Sequence, residues 1–224
     1  MRFVLLLSLV AAAASAQSVT YFRVPGVVWG IAAGPDGNLW FPTTAGVAKM
    51  TPAGNVSVYP TAAPISAGRA MIAAGPDGRM WFTEPNEHRI GAVTTSGVVT
   101  EFALAADVIP TGITAGPDGN MWFGTSNAVG RITPHGGVVL FPLVGHGEVL
   151  DLVAGSDGAI WFIEWPKNLV GRITPEGFII EFSTPCCGPL SIALRITTKQ
   201  GGGKSRIPLQ VIGMSTQKVQ PAPG

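Results

Sequence analysis

Two short stretches of the chain place acid and base side chains where they could do chemistry. Glu84, Glu87 and His88 fall within five residues of one another, and Glu164 stands in a second stretch of the same kind. A carboxylate and an imidazole on one rim can exchange a proton as acid and base, or can hold a divalent cation. Glu84, His88 and Glu164 are therefore the candidates for catalysis, but spacing alone assigns no catalytic residue, because it supplies no geometry. A second set, Trp29, Arg69 and Asp151, offers one aromatic ring and two opposite charges that could orient a polar ligand. The plainer reading of that set is that Arg69 and Asp151 are solvated or paired and that Trp29 packs a loop. His135 and His146 stand apart, no two histidines have metal-ligand spacing, and no metal site is assigned.

The elements that would position these residues repeat. Gly34-Pro35-Asp36-Gly37 recurs at Gly75, at Gly116 and, as Gly-Ser-Asp-Gly, at Gly155, with spacings of 41, 41 and 39 residues. Six residues after each first glycine comes Trp40, Trp81, Trp122 or Trp161, each followed by Phe. A third element is Val129-Gly130-Arg131-Ile132-Thr133-Pro134 and its counterpart from Val170 to Pro175, with looser copies at Val47 and Ile90. A fourth is an alternating run such as Val99-Thr100-Glu101-Phe102.

Each copy reads as four strands. Pro-Asp-Gly is turn chemistry, since Pro presets φ, Asp accepts a local backbone bond and Gly takes a positive φ. Thr-Pro-x-Gly forms a second hairpin. The adjacent Trp and Phe of the second strand point to opposite faces of the sheet, so both faces must be buried. A sheet buried on both faces and repeated every 41 residues is a blade between neighbours. The expected fold is an all-β propeller of four-stranded blades, near residues 29–60, 70–104, 111–143 and 150–184. A β-solenoid would need a shorter repeat. The short, repeated turns share one end of the blades and the varied loops share the other, so any ligand site is expected among the varied loops. Trp29, Arg69, Asp151, Glu84, His88 and Glu164 all fall at that end.

The unit from Ile113 to Leu143 resembles the repeat of the virginiamycin B (streptogramin) lyase family, and the resemblance spans about residues 19–189. It implies a propeller related to the NHL type, with seven blades in the family. It also implies an enzyme that opens a cyclic depsipeptide antibiotic by Mg²⁺-assisted elimination at the ester C–O bond. In that family the His and Glu of the active centre lie in later blades, so no position of this chain is matched to them. Mg²⁺ is implied only if the lyase reading holds, and the cofactor is otherwise unknown. The Trp-Phe-x-Glu pattern belongs to the family repeat, which suggests that Glu84 is structurally paired.

Composition agrees with short strands and many turns: 30 Gly, 19 Pro, 46% hydrophobic and 12% charged residues among 224. Met1-Arg2, the apolar run Phe3–Ala14 and Ala14-Ser15-Ala16 read as a secretory leader over residues 1–16, cut before Gln17, which predicts a secreted or periplasmic protein. Removing Arg2 makes basic and acidic residues equal in number, which argues against nucleic-acid binding. No later apolar run is long enough to span a membrane. All 13 acidic residues precede residue 190, and the stretch 190–224 has five basic residues and no aromatic. That stretch reads as a degraded fifth repeat that keeps its ends and loses its Trp-Phe strand. An incomplete ring would leave sheet edges and faces open to self-association. Cys186 and Cys187 are adjacent, and a strained neighbour disulfide, two free thiols or intermolecular bonds all remain open. The expected partner is an unknown small molecule, glycan or peptide at the varied loops.

Overall fold

The computed structural model describes residues 21–183, apart from Pro25, residues 66–69 and His146. The leader, the cysteine pair, the fifth repeat and Arg69 lie outside the described residues. Sixteen strands form four antiparallel sheets of four, each in sequence order. Blade one comprises β1 (Ala32–Ala33), β2 (Leu39–Thr43), β3 (Gly46–Met50) and β4 (Val56–Tyr59). Blade two comprises β5 (Ile72–Ala74), β6 (Met80–Glu84), β7 (Arg89–Val93) and β8 (Val99–Ala103). Blade three comprises β9 (Ile113–Ala115), β10 (Met121–Gly124), β11 (Ala128–Ile132) and β12 (Val138–Pro142). Blade four comprises β13 (Glu148–Ala154), β14 (Ile160–Trp165), β15 (Leu169–Ile173) and β16 (Ile179–Ser183). The first strands β1, β5, β9 and β13 touch in succession, so they are innermost and the fourth strands form the rim. This is the β-propeller arrangement. Among the described residues no helix is long and apolar enough to cross a membrane.

The two-faced second strand builds the core. Trp40 and Val47 of blade one pack with Ile72, Met80 and Phe82 of blade two. Trp81 and Ile90 pack with Met121 and Phe123 of blade three, and Trp122 and Val129 pack with Ile160 and Phe162 of blade four. Each interface thus joins the Trp of one blade to the Phe of the next. Burying each large ring removes apolar surface from water and stabilises the stack by roughly 1.5–3 kcal/mol.

At the turn end, one polar assembly recurs in every blade. The indole Nε1 of Trp40, Trp81, Trp122 and Trp161 donates to the Asp four residues earlier at 2.9–3.2 Å. Burial alone would raise these carboxyls, but the indole and local backbone bonds outweigh it and hold all four below the ordinary range. Each Trp stacks on the aromatic of its fourth strand, Tyr59, Phe102, Phe141 or Phe182, at 5.5–6.0 Å. A cation lies over each indole: Lys49, Arg79, Arg131 and Arg172. Three of these cations also cross to the next blade. Lys49 donates to Thr95 O at 3.0 Å, Arg79 to Pro134 O at 2.6 Å and Arg131 to Pro175 O at 2.8 Å. In blade two the third-strand position holds Ala92, and Arg79 from the turn supplies the charge instead.

The glycine of each turn between third and fourth strands has two reasons to be glycine. Gly136 has φ +88°, and a Cβ there would overlap the ring of Phe102 in the preceding blade. Gly97 meets Tyr59 and Gly177 meets Phe141 in the same way. Gly54 of blade one meets Phe22, so the N-terminal segment occupies the place of a fourth-strand aromatic of a blade before the first.

Candidate functional site

The loops between second and third strands lie at the opposite end from the turns. Three residues after each Trp comes Thr43, Glu84, Thr125 or Glu164, and all four are buried. In blades one and three the hydroxyl closes a short loop. Thr43 Oγ1 donates to Gly46 O at 3.0 Å, and Thr125 Oγ1 donates to Ala128 O at 3.0 Å. In blades two and four the loop is longer and a carboxylate takes the position.

In blade two a 3₁₀ turn over Pro85–Glu87 leads to His88 in the left-handed region, φ 50°. The turn brings Arg89 back opposite Glu84, its cross-strand partner. Arg89 donates from Nη2 to Glu84 Oε2 at 3.1 Å and lies 3.9 Å from both Glu87 and Glu101. Burial pushes the Glu84 carboxyl up to about 7, and the nearby Glu101 adds to the rise, while Arg89 opposes it. Glu84 Oε1 and Arg89 Nε are buried without hydrogen-bond partners. His88 Nδ1 lies 3.1 Å from Val108 O. A carbonyl only accepts, so Nδ1 carries the proton and, in the neutral ring, Nε2 is left as the acceptor.

In blade four Glu164 takes the equivalent place. Lys167 Nζ lies 2.5 Å from its Oε1 and donates to Val144 O at 2.6 Å. Gly147 lies over the carboxylate, and a Cβ at that position would overlap it. Glu84 and Glu164 are two blades apart, and the structure does not bring them into one cluster.

Trp29 is half-buried and packs on the core between blades one and two. Blade four was expected to start near residue 150 with Asp151 at the varied-loop end, yet β13 begins at Glu148, so Asp151 lies within it, opposite Ile163. The reason is a bulge: the register shifts between Val149 and Asp151, which extends the pairing. Asp151 Oδ1 accepts from Leu152 N at 2.9 Å. Among the described residues no group of three His, Cys, Asp or Glu side chains could hold a metal ion.

Sequence reasoning missed three participants. Glu101 and Glu181 occupy matching places on the fourth strands, and Arg89 is the cation that Glu84 needs. The offset of five residues between Glu84 and Arg89 becomes a contact only once the hairpin register is known.

The model of the virginiamycin B lyase family matches residues 16–200. A crystal structure of virginiamycin B lyase from Staphylococcus aureus superposes with a TM-score of 0.72 at 31% identity, covering 77% of this chain and 62% of the other. A streptogramin B lyase structure gives 0.73 at 32% identity, covering 78% and 62%. A catalytically inactive form of the Staphylococcus aureus lyase with quinupristin gives 0.68 at 31%, covering 74% and 59%. The chain spans about three fifths of the length of these lyases. No curated protein matches it. Four Trp-Phe blades, their Asp-Trp-cation assemblies and the match over residues 16–200 together show that this chain belongs to the virginiamycin B lyase family.

Proposed function

We propose that this chain is an exported lyase-family propeller that works as a noncatalytic binding or scaffold module, taking a small molecule, glycan or peptide at its varied loops. The supporting observation is the engagement of the candidate groups. Glu84 is bound to Arg89, Glu164 to Lys167, and His88 to Val108 O. Each of these groups has a partner inside the protein, and both carboxylates are buried. Trp29 and Asp151, with Arg69, are the candidate ligand contacts.

The second reading is a Mg²⁺-dependent C–O lyase of streptogramin B-type cyclic depsipeptides. The 31–32% identity to solved lyases favours it. Incubating the purified protein with a streptogramin B and Mg²⁺ separates the two readings by mass spectrometry. The expected result is no linear product above background. Turnover at an enzyme-like rate, on the order of 10 s⁻¹, would overturn the noncatalytic reading.

Self-association belongs to the same proposal. Blade four presents the half-buried Trp161 and Phe182 (45% exposed), whereas the matching Trp of each other blade is fully buried and its fourth-strand aromatic is partly covered. A second copy supplying a glycine turn would cover these rings as Gly177 covers Phe141. Light scattering should then show a concentration-dependent oligomer that Phe182→Asp returns to monomer. An oligomer unchanged by that substitution, or none at high concentration, would sink the idea.

A further inference from the structure

One rim carboxylate position meets the linker of the preceding blade. In β8, Glu101 lies opposite Gly91. Its Oε1 accepts from Ala62 N at 3.0 Å, in the linker that follows β4, and its Oε2 lies 3.9 Å from Arg89 Nη1. In β16, Glu181 lies opposite Gly171, the same place in blade four. Both partners of that position differ here. Leu169 pairs with Glu164 where Arg89 pairs with Glu84, so blade four has the two carboxylates without the guanidinium. Val144, which matches Ala62 when counted from Phe141 and Tyr59, is 85% exposed and gives its carbonyl to Lys167.

A cavity of about 180 Å³ lies between blades three and four, lined by Pro142, Leu143, Val144, Ile179 and Glu181. Burial holds the Glu181 carboxyl above its ordinary value, the Glu164 charge adds to this, and Lys167 partly offsets it. Glu164 is itself buried, and neither of its oxygens has a hydrogen-bond partner; only the Lys167 charge faces Oε1.

We propose that this rim cavity binds a short aliphatic guanidinium, its alkyl part on Pro142, Leu143, Val144 and Ile179 and its planar head on the Glu181 carboxylate, as Arg89 serves Glu101 in blade two. The cavity supplies an apolar wall and a carboxylate acceptor, which is what an alkylguanidinium needs and what neutral ligands use less well. The site is at the rim, beside the Lys167 loop, and its test reads guanidinium binding rather than antibiotic cleavage, so it is independent of the lyase assay.

The probe is n-propylguanidinium, titrated into the purified protein and followed by calorimetry, with n-propylurea as the neutral isostere. Saturable one-to-one binding is expected, with n-propylurea and the Glu181→Gln variant each weaker by about tenfold or more. Leu169→Arg should place a guanidinium in the blade and abolish binding, while Glu181→Gln keeps the test valid if that variant does not fold. N-acetylarginine amide distinguishes sources: binding as tight as the probe's points to an arginine of a peptide partner, and weaker binding points to a small free guanidine. No saturation below roughly 10 mM, or binding unchanged in Glu181→Gln, overturns the proposal.

Discussion

Trp122→Ala is expected to destabilise the protein by about 3–5 kcal/mol, the range for a large aromatic removed from a packed core. Trp122 is fully buried, joins blade three to Phe162 and Ile160 of blade four, and stacks on Phe141 at 5.5 Å. Its loss leaves a cavity and strips Asp118 of its indole donor at 2.9 Å. It also removes the surface on which Arg131 rests as it reaches Pro175 O. With a urea slope of about 2 kcal/mol/M, the unfolding midpoint should fall by roughly 1.5–2.5 M. Asp118→Ala, which orphans the indole N–H, should cost about 1–3 kcal/mol. Trp161→Ala should cost less than Trp122→Ala, because Trp161 is only half-buried. Equal losses at Trp122 and Trp161 would contradict an interface built by the Trp of one blade and the Phe of the next.

The second large effect is on pH dependence. The folded-state pKa of Glu84, about 7, lies above the ordinary 4.5. Between those values the native chain keeps a proton that the unfolded chain has lost. The stability tied to that proton is fully present below pH 4.5 and is lost as pH rises through 7. A difference of that size corresponds to about 3 kcal/mol. Glu84→Gln is neutral at every pH and does not suffer this loss. The stability of the variant relative to the parent should therefore climb by about 3 kcal/mol from pH 4.5 to pH 8 and level off above. Urea denaturation of both proteins across that range gives the difference, and titration of Glu181, common to both, cancels. A gap that does not change with pH would mean that Arg89 keeps Glu84 ionised throughout.

The local features were legible because they are written in neighbouring residues. Pro-Asp-Gly and Thr-Pro-x-Gly specify turns within four residues, and the Trp-Phe pair specifies a strand buried on both faces. Three intervals of 41, 41 and 39 residues then require stacked blades. The candidate site was legible only as residue types. Whether Glu84 is a free acid or half of an ion pair depends on register, which places Arg89 opposite it across the β6–β7 hairpin. Glu101 depends on more still, because its partner Ala62 lies 39 residues away across a blade interface. Arg79 supplies the charge where the third-strand position holds Ala92, and no periodic pattern reveals a substitution made from the turn. Asp151 was misplaced by a bulge, since one extra residue in a strand has no signature in the order of side chains.

The contact of a glycine turn with the preceding blade's aromatic has a consequence for cooperativity. Tyr59–Gly97, Phe102–Gly136 and Phe141–Gly177 are copies of one interface, and Phe22–Gly54 shows its receiving half alone. Free energy in such an array is a sum of similar nearest-neighbour couplings. Among the four described blades the middle two have two couplings each and the outer two have fewer, so opening should begin at the outer two and travel inward. Amide hydrogens of β6, β7, β10 and β11 would then exchange through the global unfolding of the array, and those of β1 and β16 through fraying.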